Sequence, residues 1–138
     1  MATLKAFVRM TEPDAERLML LSQYVNSPIE GQHLLELERK ISEAEVCPPE
    51  EIPPDVVTMN SKVLVRFLDT GETGVFTLVF PSRTNAQHHR ISVLGSFGRA
   101  LLGASVGDEI EYATGVGVRR CKVERIVFQP EAAGDYFG

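Results

Sequence analysis

The chain has 138 residues and an apolar fraction of 43%, enough for one core and consistent with one compact domain or one small domain with an appendage. Its formal net charge of −5 argues against strong non-specific nucleic-acid binding. No run approaches the roughly eighteen apolar residues of a membrane span, and the N-terminus lacks the apolar block of a secretory signal. A cytoplasmic protein is therefore expected, in which the distant pair Cys47 and Cys121 has neither metal-ligand spacing nor an oxidising compartment to join it.

In chain order, Lys5 to Arg9 reads as a short strand. Thr11 then looks like a helix cap, with Pro13 and Asp14 in the first turn and Ala15, Leu18, Leu21 and Val25 forming one apolar stripe. Tyr24 to Ser27 breaks that pattern. Ser27-Pro28-Ile29-Glu30 is a capping box with proline at the first helical position. Beyond it, Leu34, Leu37, Ile41 and Ala44 repeat at 3-4-3 spacing, and Glu36 can pair with Lys40. Two short antiparallel helices zipped as a coiled-coil hairpin are the expectation, with Cys47-Pro48-Pro49 ending the second.

Pro48 to Asp55 is proline-rich and acidic, a connector. Lys62 to Leu68 and Val75 to Phe80 read as strands joined through the Asp69-Thr70-Gly71-Glu72 turn. Ser82 to Arg90 is polar and unpatterned, a loop. Ile91 to Leu94 is a short apolar run, after which Ser96 can cap a helical turn over Arg99 to Leu102, closed by Gly103. Gly107-Asp108 makes a turn into Ile110 and Tyr112, which alternate with Glu109 and Glu111. Val118 to Phe128 closes the sheet. Strand alternation places Arg120 and Lys122 on one face of it, Arg119 and Arg125 on the other, as a solvated strand edge. The expected class is α+β: a helical hairpin over 1–47, a linker over 48–57, and a largely antiparallel sheet with one short helix over 58–138.

Catalytic constellations are sparse. His88 and His89 are adjacent in the polar loop, and adjacent side chains diverge, which suits a shared metal poorly. Cys121 has no histidine near it in sequence. There is no nucleophile elbow, no phosphate-cradling glycine loop and no zinc-protease motif. Neither a cofactor nor a metal is expected.

Three motifs carry a family resemblance. The run ISVLGSFGRALLGASVGDEIEY, Ile91 to Tyr112, resembles the C-terminal domain of the bacterial Gre transcript-cleavage factors. With PPDVVTMNS (Pro53 to Ser61) and QPEAAGDY (Gln129 to Tyr136) added, the chain resembles more closely the regulator of nucleoside diphosphate kinase (Rnk) family. The likeness covers nearly the whole length and is weakest over the first ten residues and Ser82–Arg90.

That resemblance implies an FKBP-like fold for the sheet domain. It also implies binding of RNA polymerase at the coiled coil on the rim of the secondary channel, and competition with Gre-type factors. Gre factors promote transcript cleavage through a metal held by acidic residues at the tip of a long hairpin, which requires closely placed carboxylates. Across Tyr24 to Gly31 the only acid is Glu30, which Ser27 already explains as its capping partner. The implied protein is thus a non-enzymatic, monomeric regulator whose hairpin tip, Ser27 and Glu30, does no cleavage.

The docking residues carried over by position are Leu94, Gly95, Ser96, Phe97 and Arg99. Ser96 stands where most relatives have proline, and Leu94 where some Gre members have an acid. Phe97 is either an interface anchor or core, and both readings stay open. An active cleavage factor is the alternative, and the FKBP-like fold raises prolyl isomerase as a third class. Nothing resembles a nucleoside diphosphate kinase itself.

Overall fold

The computed structural model describes residues 8–24 and 27–135. The chain runs β1 (Arg9–Thr11), α1 (Glu12–Met19), a 3₁₀ turn (Leu20–Tyr24), α2 (Pro28–Glu43) and β2 (Glu45–Cys47). It continues through β3 (Lys62–Phe67), β4 (Thr73–Val79), β5 (Arg90–Ser92), α3 (Ser96–Leu101), β6 (Glu109–Thr114) and β7 (Gly117–Phe128). The class is α+β, as the sequence implied. Among the described residues no helix is long and apolar enough to cross a membrane.

Both N-terminal helices start where the capping signals place them. Thr11 Oγ1 accepts from the Asp14 amide at 3.3 Å, and Ser27 Oγ from the Glu30 amide at 3.1 Å. Leu18 and Leu21 are buried beside Leu34, Leu37 and Ile41, so the two apolar stripes face one core. Val25 and most of the Lys5–Arg9 run lie outside the described residues. The strand that is seen begins at Arg9 and pairs in parallel with β2, Met10 opposite Val46. β2 occupies residues that the sequence reading gave to the second helix, which ends at Glu43 and not at Cys47-Pro48-Pro49, and neither three-residue strand carries a pattern long enough to read.

The main sheet has the order β5-β4-β3-β7-β6, antiparallel except for the β4–β5 pair. Val63, Val65, Phe67, Leu78, Cys121 and Val123 form its inner face and join the helix residues and Val57, Met59, Leu101 and Leu102 in one cluster. The Ser82–Arg90 loop contains two 3₁₀ turns, Pro81–Arg83 and Ala86–His88, each too short to show a period.

Two readings of β7 are corrected. It is an inner strand between β3 and β6, so its arginines do not line an edge. Arg119 and Arg125 also do not share a face. The register against β3 shifts so that Leu64 pairs with Arg125 while Val65 pairs with Val123, leaving Glu124 as an extra residue. Such a bulge inverts the alternation beyond it, which puts Arg125 outward with Lys122 and Arg120 and leaves Arg119 beside the core aromatics.

The Ser96 cap is the third correction. Gly95 is the cap residue of α3 and makes no side-chain cap bond, while Ser96 lies within the helix and its hydroxyl donates to the Ala113 carbonyl at 2.6 Å. A serine one position late cannot reach the orphan amides, and the neighbouring strand β6 offers it an acceptor instead.

Candidate docking site

The loop entering α3 is fixed from below. Ser92 Oγ accepts from the Leu94 amide at 3.0 Å, the Gly95 amide donates to Ser92 O at 3.1 Å, and the Val93 amide reaches Val79 O at 3.0 Å. Gly98 then lies so close to this loop that a Cβ there would meet Ser92 O at 2.0 Å, so α3 can seat only with glycine at that point. At the far end Gly103, at φ +80, adopts the left-handed conformation expected of it and donates to Val57 O at 2.9 Å. Leu101 and Leu102 are fully buried.

Within this frame the carried-over residues divide. Gly95 is exposed and Ser96 half-buried, while the half-buried Leu94 packs its side chain against the core. Phe97 turns inward: it stacks on Tyr112 at 4.5 Å between centroids and meets Phe76 edge-on at 5.1 Å and Phe67 at 6.2 Å. The ring is part of the half-buried aromatic wall between α3 and the sheet, to which His89 adds a stack on Phe76.

Arg99 is held inside the molecule, its side chain 14% exposed. Its guanidinium donates to Leu94 O, contacts His33 Nδ1 and reaches Glu36 Oε2 at 3.3 Å. From the same helix, Lys40 donates to the Arg99 carbonyl. His33, Glu36 and Lys40 follow one another at 3-4 spacing along α2, so one polar stripe of that helix grips α3. The spacing was visible in the sequence, but its partner was not, because nothing local shows that α3 packs there. A groove of about 310 Å³ lies along this contact, bordered by Lys40, Ser96, Arg99 and Tyr112.

Ser27 and Glu30, expected at a hairpin tip, are both exposed at the start of α2. Ile29, between them in the chain, is an apolar side chain 69% exposed. His33, one turn beyond Glu30, is the point at which α2 meets α3 through Arg99. Among the described residues no group of three or more histidine, cysteine or carboxylate side chains is placed to hold a metal ion.

A second polar cluster escaped the sequence reading. Asp14 is buried and its Oδ2 accepts from the Met59 amide at 3.0 Å. Glu131 Oε1 accepts from Thr58 Oγ1 at 2.7 Å, and Gln129 Nε2 donates to Pro53 O and Val56 O, both at 2.8 Å. The two outer sequence motifs, Pro53–Ser61 and the Gln129 segment, therefore clasp one another, and α1 is tied to the first of them through the Met59 amide. Burial raises the Asp14 carboxyl to about 6 against the pull of the Met59 amide, and burial also raises Glu131.

Comparison with known proteins fits these motifs. Residues 52–127 match the family described as transcription elongation factor, GreA/GreB, C-term. The regulator of nucleoside diphosphate kinase of Escherichia coli K12 is 46% identical over 127 residues, covering 89% of this chain and 90% of that protein. The chain belongs to the regulator of nucleoside diphosphate kinase family. The transcription elongation factor GreA of Syntrophus aciditrophicus is 31% identical over 97 residues, 70% of this chain and 60% of that protein. Among solved structures, a GreA/GreB elongation factor from Nitrosomonas europaea superposes with a TM-score of 0.73 at 38% identity, covering 90% of this chain and all of that one. As a member of the regulator of nucleoside diphosphate kinase family with a GreA/GreB C-terminal domain, the chain is a Gre-related transcription regulator.

Proposed function

We propose that this chain is a non-enzymatic, cytoplasmic regulator that binds RNA polymerase as a monomer at the rim of the secondary channel and excludes Gre-type factors without cleaving RNA. The sheet domain, 58–138, is the docking body with an FKBP-like arrangement. Residues 1–47 form the short coiled-coil hairpin presented at the channel entrance, and 48–57 join the two.

The observation that carries this reading is the chemistry of the tip. Glu30 is the one carboxylate between Tyr24 and Gly31, its amide is engaged by Ser27, and Ile29 beside it in the chain is an exposed apolar side chain. Holding a catalytic divalent cation takes several hard oxygen ligands, and a single carboxylate is a poor start. The 16 residues of α2 span about 24 Å at the usual helical rise, short for reaching deep into a channel.

In this reading Leu94, Gly95 and Ser96 make the contact with the polymerase. Phe97 and Arg99 act as positioning residues, one seating the loop on the aromatic wall and the other tying it to α2. Binding of the labelled protein to purified core RNA polymerase tests the proposal. Saturable binding that weakens at least tenfold on Gly95→Asp or Ser96→Glu is the expected result, and absence of binding by the unaltered chain would overturn it.

A further inference from the structure

The sheet has a second face, opposite the core, and its residues are set in rows by the strand register. One row runs Thr77, Lys62, Phe128; the next Val75, Leu64, Arg125; the next Thr73, Arg66, Lys122. The centre is therefore aliphatic, Leu64 beside Val75, with Phe128 46% exposed at one corner and cations around them.

Charge sets this face apart. Lys62, Arg66, Arg120, Lys122 and Arg125 project from it, in a chain whose 19 acids outnumber its 14 lysines and arginines. Arg66 is paired with Glu124 at 3.2 Å and Arg120 with Glu111 at 2.7 Å. Lys62, Lys122 and Arg125 have no ion pair among the described residues. The bulge at Glu124 creates this arrangement, since without it Arg125 would point to the core.

We propose that this outer sheet face binds an acidic amphipathic helix on the polymerase, as a contact separate from the loop before α3. The proposal rests on the polymerase-binding reading above. An aliphatic centre framed by unpaired cations complements a helix with an apolar stripe flanked by carboxylates. A nucleic acid fits the same face poorly. Its centre, Leu64 with Val75, is aliphatic and offers bases no ring to stack on, the exposed ring of Phe128 lying at a corner of the face.

The test measures affinity for core RNA polymerase at about 50 and about 200 mM salt, a range over which multi-ion contacts weaken strongly. The proteins are the unaltered chain, Lys122→Glu with Arg125→Glu, and the neutral pair Lys122→Gln with Arg125→Gln. A single-stranded and a duplex oligonucleotide serve as parallel probes, and thermal melts show that each variant is folded. The charge-reversed pair is expected to bind the polymerase at least tenfold more weakly at low salt, the neutral pair to fall between, and both to lose part of the salt dependence. If the unaltered chain binds and both variants match it, the sheet-face contact is overturned while the docking reading stands. If the unaltered chain does not bind, the docking reading falls and this contact with it. Oligonucleotide binding that the charge reversal abolishes, with polymerase binding unchanged, would overturn the protein partner in favour of nucleic acid.

Discussion

Asp14 lies almost fully buried between the Thr11 hydroxyl, the Met59 amide and the Glu131 carboxylate, with Arg17 the nearest compensating charge. An aspartate ordinarily titrates near 4, and burial here raises it to about 6. The native state therefore holds this proton more tightly than the unfolded chain does. Its contribution is fully present below about pH 4 and is lost as pH rises through about 6, by no more than about 3 kcal/mol. Glu131, raised in the same direction, adds to that slope. Asp14→Asn keeps an acceptor for the Met59 amide and removes the titration. Urea unfolding from pH 4 to 7 is expected to show a falling stability in the parent and a flatter profile in the variant. Parallel profiles would contradict the assignment. The sequence hid this cluster because Asp14 satisfies a helix-start pattern, which usually means a solvated side chain. Its partners lie 45 residues away at Met59 and, through Thr58, at Glu131.

At the scale of elements, the grip of α2 on α3 passes through one guanidinium. Arg99 joins the Leu94 carbonyl of its own loop to His33 and Glu36. Arg99→Ala is expected to cost about 1–2 kcal/mol, chiefly from the half-buried Leu94 carbonyl and the partners left without it, since the ion pair with exposed Glu36 adds little. The sharper readout is hydrogen exchange. Amides of α2 from His33 to Lys40 should exchange faster while those of β3 and β7 do not change, and uniform acceleration would show a merely global effect. The spans of β3, β6 and β7 and the start of α2 were legible because each has a long period or a clear cap or turn, whereas the end of α2 was placed at Cys47 and falls at Glu43. Ser96 was misplaced as a cap because Gly95, with no side chain, sends no capping signal. The outward turn of Arg125 was missed because a bulge depends on the partner strand, which local alternation cannot report.

At the scale of the whole molecule, the three sequence motifs prove to be three parts of one body. The stretch Ile91–Tyr112 builds the α3 loop and β6, while Pro53–Ser61 and the Gln129 segment clasp each other across the far side of the core. The family was therefore legible in the sequence even where the contacts were not. Motif order survives in the chain, whereas the positions of His33, Asp14 and Phe97 depend on long-range packing. Of the residues assigned to docking by position, Gly95 is exposed and Ser96 half-buried, Leu94 packs in part against the core, and Phe97 and Arg99 turn inward, a division that no pattern over six residues could give.

The central claim is occlusion without cleavage. The most direct measurement adds the protein to a backtracked transcription complex carrying a labelled Gre factor, and follows the label and the RNA length in the same tube. The expected result is displacement of the label together with loss of cleavage, at a concentration matching binding to core polymerase. Displacement with the RNA still shortened, and the shortening abolished by Glu30→Gln, would contradict the account and make the short hairpin a catalytic one.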